Sequence, residues 1–104
     1  MVTLKRKQSD AVFRAIANPT RREILRLLRK GRHSAGEIAA NFRTSRTGIS
    51  KHLRLLRTAG LVVSHKDGKA RMYDLDAKPL RAMNTWLRDY EALWKPGSTF
   101  FPVE

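Results

Sequence analysis

Cysteine is missing from this chain altogether. Its absence excludes disulfides, thiolate metal sites and thiol redox sensing together. Long apolar runs are missing too. None approaches the ~20 residues of a membrane-spanning helix. The opening MVTLKRKQSD has no apolar stretch of the kind a secretory signal needs. These two absences predict a cytoplasmic protein with no membrane contact. Acid is scarce, with nine Asp and Glu against 22 Lys and Arg. The few carboxylates are scattered, and no Ser-His-Asp set or glycine-rich phosphate loop is visible. The expectation is a protein that is not an enzyme and needs no cofactor.

What the chain has in excess is positive charge, formally +13. The surplus is uneven. Residues 1–42 and 43–71 each net +7, and residues 72–104 net −1. A small domain this basic points to a polyanionic partner. Binding a membrane surface instead would want a basic helix with an exposed bulky apolar face, and here the apolar faces are needed for a core. The 104 residues fit one small domain whose core is modest.

Residues 1–7 read as a flexible basic arm. A first helix is expected over 8–17, with Ala11, Val12, Ala15 and Ile16 on one apolar side. Asn18 is placed to cap a second helix and Pro19 to open it, since proline's missing N–H is harmless at the first helical position. That helix should reach about Lys30, burying Ile24, Leu25, Leu27 and Leu28. Arg21 and Arg22 sit at its N-terminal end, either as phosphate contacts or as solvated cations.

The stretch from Ser34 to Leu56 predicts a short helix, a polar turn at Arg43-Thr44-Ser45 and a longer helix capped by Ser45. The longer helix places Ile49, Leu53 and Leu56 on one stripe. Its other face carries Arg46, Thr47, Ser50, Lys51 and Arg54, every one a donor, and no acid occurs between Glu37 and Asp67. A solvated face normally mixes signs. A face of donors alone suits a helix lying in a DNA major groove. Gly60 then stops the helix. LVVSH (61–65), KDGK (66–69) and ARMYDL (70–75) read as strand, turn and strand. The fold expected is mainly α with a small β-hairpin: a winged helix-turn-helix of about five helices and a two-stranded wing. Base edges fall to Arg46, Thr47, Ser50 and Lys51, on the N-terminal half of the reading helix. The DNA backbone falls to Arg21, Arg43, His52, Arg54, Lys66, Lys69 and Arg71. For His52 a hydrogen bond to the neighbouring helix is the alternative. His33, His52 and His65 share no helical spacing and no cysteine joins them, so no metal site is expected.

A last helix is expected from about Ala77 to Lys95, with Asp76 as its cap. Leu80, Met83, Leu87, Tyr90 and Trp94 fall at steps of three and four, a helix-long apolar seam widened by Trp86 and Leu93. With Val12, Phe13 and Ile16 this seam should make a two-fold dimer interface. Packing wholly on its own first helix is the alternative. The domain thus spans 8–95, and 96–104 is a tail in which Phe100 and Phe101 could dock.

AIANPTRREILRLL (15–28), GEIAANFRTSRTGISKHLRLLRTAGLV (36–62) and DGKARMYDL (67–75) together resemble the ArsR family of bacterial winged-helix repressors. The likeness covers about residues 8–95 and is most specific at S-x-x-x-I-S-K-H-L-x-x-L-x-x-A-G-L-V. The ending P-L-x-x-x-x-x-W-L-x-x-Y-x-x-x-W (79–94) looks like the branch without metal sites. Metal-sensing relatives use paired thiolates on the third helix, or His and carboxylates on the last. Here those places hold Glu37-Ile38-Ala39, and Asp89 and Glu91 with no His. One departure is Thr47-Gly48, where many relatives have Pro-Ala or Pro-Thr. Glycine within a helix costs about 1 kcal/mol relative to alanine. The resemblance implies a homodimeric repressor on an inverted-repeat operator in double-stranded DNA. A winged-helix protein-interaction module with weak nucleic-acid binding is the other reading.

Overall fold

A two-residue joint, Ala17-Asn18, separates the first two helices. The computed structural model describes residues 2–96, and side chains over 8–96. In it α1 runs Val2–Ile16 and α2 runs Pro19–Leu28. The Asn18 side chain accepts from the Arg21 backbone N–H at 3.0 Å, and Pro19 opens α2. Residues 2–7, expected as a loose arm, continue α1 instead. Lys, Arg and Gln are good helix formers, and no glycine or proline precedes Asn18.

A three-stranded antiparallel sheet follows in the order β1-β3-β2, with β1 at His33–Ser34, β2 at Val62–Asp67 and β3 at Ala70–Leu75. The sequence reading missed β1. Two residues become a strand only because β3 offers its free edge, pairing His33 with Tyr73 and Ser34 with Met72. Ser34 also caps α3 (Ala35–Ala39). Its Oγ accepts the Glu37 N–H at 3.1 Å, and the Glu37 carboxylate accepts the Ser34 N–H at 2.7 Å.

The longer helix, α4, runs Arg46–Thr58, and Ser45 Oγ accepts the Gly48 N–H at 3.0 Å. It ends in a Schellman motif. Gly60 turns at φ +80 with its N–H on the Arg57 carbonyl, while the Leu61 N–H reaches the Leu56 carbonyl at 3.0 Å. The hairpin is tighter than the sequence suggested. Pairing runs on to Asp67 opposite Ala70, so the turn is Gly68-Lys69, with Gly68 at φ +65 as in a type II′ turn.

The core gathers Ile24 and Leu28 of α2, Ile38 of α3, and Ile49, Leu53 and Leu56 of α4, with Val12, Ala15, Leu61, Val62 and Tyr73. Burying each large aliphatic side chain contributes about 1.5–3 kcal/mol. Because α4 commits its whole apolar stripe here, its donor face is left outward. Val12 belongs to this core at 0% exposure, which removes it from the dimer surface assigned to it.

The expected single helix over 77–95 is broken. A 3-10 turn at Lys78–Leu80 leads into α5 (Arg81–Arg88), and α6 covers Glu91–Trp94. Asp76 Oδ1 accepts the Lys78 N–H at 3.0 Å, so it supports the 3-10 turn and not a long helix. The break falls at Asp89-Tyr90, where the bonds tighten to Asp89 N–H on the Trp86 carbonyl and Tyr90 N–H on the Leu87 carbonyl. An acid at a helix C-terminus opposes the helix dipole, and residues 88–90 are exposed, with no core to hold them helical. Most of the tail, with Phe100 and Phe101, lies outside the described residues.

Candidate nucleic-acid interface

The α4 helix sorts its side chains, with Leu55, 41% exposed, the one large apolar residue left outward. Ile49, Leu53 and Leu56 are buried, and Arg46, Thr47, Ser50, Lys51 and Arg54 are all exposed. Arg43, in the turn before the helix, is exposed as well. So is Arg57, a cation on the same helix that the sequence reading left unassigned. The Arg46 guanidinium leans over the start of α3, where a Cβ built on Gly36 would lie 3.8 Å from its Cζ. Gly48 has a local reason too. A Cβ there would stand 2.5 Å from Thr44 Oγ1, so the turn residue occupies the space that alanine would need.

The wing extends the cationic surface. Lys66 lies directly opposite Arg71 in the β2–β3 register, and Lys69 sits in the turn, all three exposed. Like charges directly across a ladder are destabilising. A polyanion laid along the hairpin removes that cost. Arg71 also donates to Ser64 Oγ at 3.2 Å. At the wing's base, Asp74 receives Arg32 Nε at 3.3 Å and His65 Nδ1 at 3.4 Å.

Arg21 is a correction. Expected at phosphate, it points inward at 9% exposure. Its Nε donates to the Ala15 carbonyl at 2.7 Å and its Nη2 to the Arg14 carbonyl at 3.0 Å. The last carbonyls of a helix need partners, and a cation there also answers the dipole. The tight Ala17-Asn18 joint is legible in the sequence, but the inward turn of the arginine across it is not. Arg22 makes the same kind of contact from the exposed side, donating to the Ile16 carbonyl at 2.8 Å.

His52 meets Arg21 from α4, Nη1 to Nδ1 at 3.2 Å. This is the helix-to-helix alternative to phosphate. Burial, and then the Arg21 charge, hold its pKa below the ordinary histidine value. Among the described residues, no group of three or more His, Asp or Glu side chains is arranged to hold a metal ion. No helix there is long and apolar enough to cross a membrane.

A separate aromatic face is built by α1, α5 and α6. Phe13 of α1 meets Trp86 of α5 edge-on at 5.8 Å, and Trp86 meets Tyr90 at 4.8 Å. Trp86 is nevertheless 50% exposed, and Tyr90, Leu93 and Trp94 are exposed beside it. Ile16, Leu80, Met83 and Leu87 are half-buried, and Ile16, Leu80 and Met83 pack against the core.

The helix-turn-helix domain family matches residues 16–65. The chain is 39% identical over 79 residues to the transcriptional repressor SdpR of Bacillus subtilis, covering 76% of this chain and 88% of that protein. It is 36% identical over 88 residues to the HTH-type transcriptional regulator Rv2034 of Mycobacterium tuberculosis, covering 85% and 79%. A solved ArsR family transcriptional regulator superposes with a TM-score of 0.77 at 31% identity, over 86% of this chain and 93% of that one.

Proposed function

The chain belongs to the ArsR family of winged helix-turn-helix DNA-binding regulators, and from that premise we propose that it acts in the cytoplasm as a homodimeric, metal-independent repressor on an inverted-repeat operator. The observation that carries this reading is the outward face of α4. Apart from Leu55 toward its C-terminal end, its exposed positions are all donors, set against a fully buried apolar stripe. Arg46, Thr47, Ser50 and Lys51 supply base contacts from the N-terminal half. Arg43, Arg54, Lys66, Lys69 and Arg71 grip the backbone on either side. A two-fold axis through the aromatic face sets two reading helices about one DNA turn apart, ~34 Å.

Selection from a random duplex pool tests this. The wild-type protein should enrich an inverted repeat, and the slope of log K against log salt should be steeper than about −5 for a dimer neutralising several phosphates per subunit. No enriched sequence together with a slope near zero would leave the protein-interaction reading in its place. Zinc or cadmium added at one equivalent per subunit should leave the complex intact.

A further inference from the structure

We propose that Arg21 and His52 are positioning residues for DNA binding: their contact clasps the reading helix α4 to the C-terminal end of α1, and so relays the placement of the dimer helices to the base-reading side chains. The inference rests on the DNA-binding dimer proposed above.

Three observations carry it. First, Arg21 is spent entirely inside the protein. Its guanidinium is a rigid planar fork of donors. Two arms hold the Arg14 and Ala15 carbonyls of α1, and the third reaches His52. Second, the contact has a defined polarity. Arginine can only donate, so His52 Nδ1 accepts, and the neutral ring carries its proton on Nε2. Third, little else directional holds α4. Ile49, Leu53 and Leu56 seat it in the core, and apolar burial has no direction of its own. A helix seated that way can slide or roll at small cost. Among the described residues, Arg21–His52 is the one side-chain hydrogen bond from within α4 to another element. His52 lies at the centre of the helix, directly after Ser50 and Lys51, where a small roll moves every base contact. The other end of the clasp is the last turn of α1, whose Phe13 and Ile16 face the proposed dimer partner.

The test uses full-length protein, the duplex enriched by the wild type and a scrambled duplex of equal length. In His52→Asn, Oδ1 can stand where Nδ1 stood, so the clasp is kept without the ring. His52→Leu removes the acceptor and leaves a buried donor unpaired. His52→Asn should bind the enriched duplex within about threefold of wild type, while His52→Leu binds it at least tenfold more weakly, the size of one lost charge-assisted hydrogen bond. Both should bind the scrambled duplex as the wild type does. If His52→Leu does not fold, His52→Ala takes its place. Independently, ring nitrogen NMR of the wild type should show the Nε2–H tautomer at His52.

An Nδ1–H tautomer would overturn the clasp. Equal losses by the Asn and Leu variants on both duplexes would make His52 a phosphate contact. Wild-type binding by both variants would make the contact incidental. A wild-type protein that enriches no sequence would remove the DNA-binding reading itself, and the clasp with it.

Discussion

At the scale of single residues, two side chains make predictions of opposite kinds. His52 is held below its ordinary pKa of 6.5 by burial and by Arg21. The folded state therefore favours the neutral ring, and the unfolded chain takes up the proton first as pH falls. The stability this contributes is whole above 6.5 and is lost as pH falls through that value toward the lowered folded pKa. In urea melts, the stability of wild type relative to His52→Asn should shrink across that window. A difference that grows on acidification would mean the ring is charged in the fold. Gly48 concerns space rather than charge. Alanine there gains about 1 kcal/mol of helix propensity, but its Cβ meets Thr44 Oγ1. Gly48→Ala should therefore stabilise more in a Thr44→Ala background than alone, by about 0.5–1 kcal/mol on that scale. Equal effects in both backgrounds would show that Thr44 simply turns away.

At the scale of elements, the proposed function divides reading from holding between α4 and the wing. Arg46→Ala should cost about 1–3 kcal/mol on the enriched duplex if it pairs with a guanine, and much less on a scrambled one. Lys69→Ala should weaken both alike. Equal loss on both duplexes for Arg46→Ala would reassign it to the backbone. The elements legible in the sequence are those specified by their own residues. Asn18-Pro19 opens α2, Ser45 opens α4, Gly60 closes it, and the 3.6-residue stripe of Ile49, Leu53 and Leu56 says which way it faces. The elements that were not legible depend on something distant. Strand β1 exists because Met72 and Tyr73 lie alongside it. The break at Asp89-Tyr90 follows from residues 88–94 having little of their own subunit to pack on. Arg21 misled for the same reason: nothing local says that an arginine at a helix start turns back to cap the helix before.

At the scale of the whole molecule, most of the exposed large apolar surface lies on α5 and α6, with Leu55 and Val63 the exceptions. The donor face of α4 and the wing form one cationic side, and Trp86, Tyr90, Leu93 and Trp94 leave an aromatic one that a single copy does not cover. The seam read from the sequence is carried by α5 and α6 rather than by one straight helix. Leu87 is half-buried, so charging it risks the fold. Trp86 is the better probe, because half of its surface is already in water. Trp86→Glu should sediment as a folded monomer with native helical circular dichroism, and should lose operator binding with every residue of α4 intact. A dimer with wild-type affinity would move the interface elsewhere.

Ser34 is shared property: its backbone pairs with Met72 at the foot of the wing, and its hydroxyl starts α3. The two elements therefore cannot fray separately. Peeling the edge strand from the sheet undoes the reciprocal bonds with Glu37 in the same motion. Deuterium should then enter the Glu37 amide and the short β1–β3 ladder at a common rate. A duplex that grips only the wing tip should slow uptake in α3, a helix it need not touch.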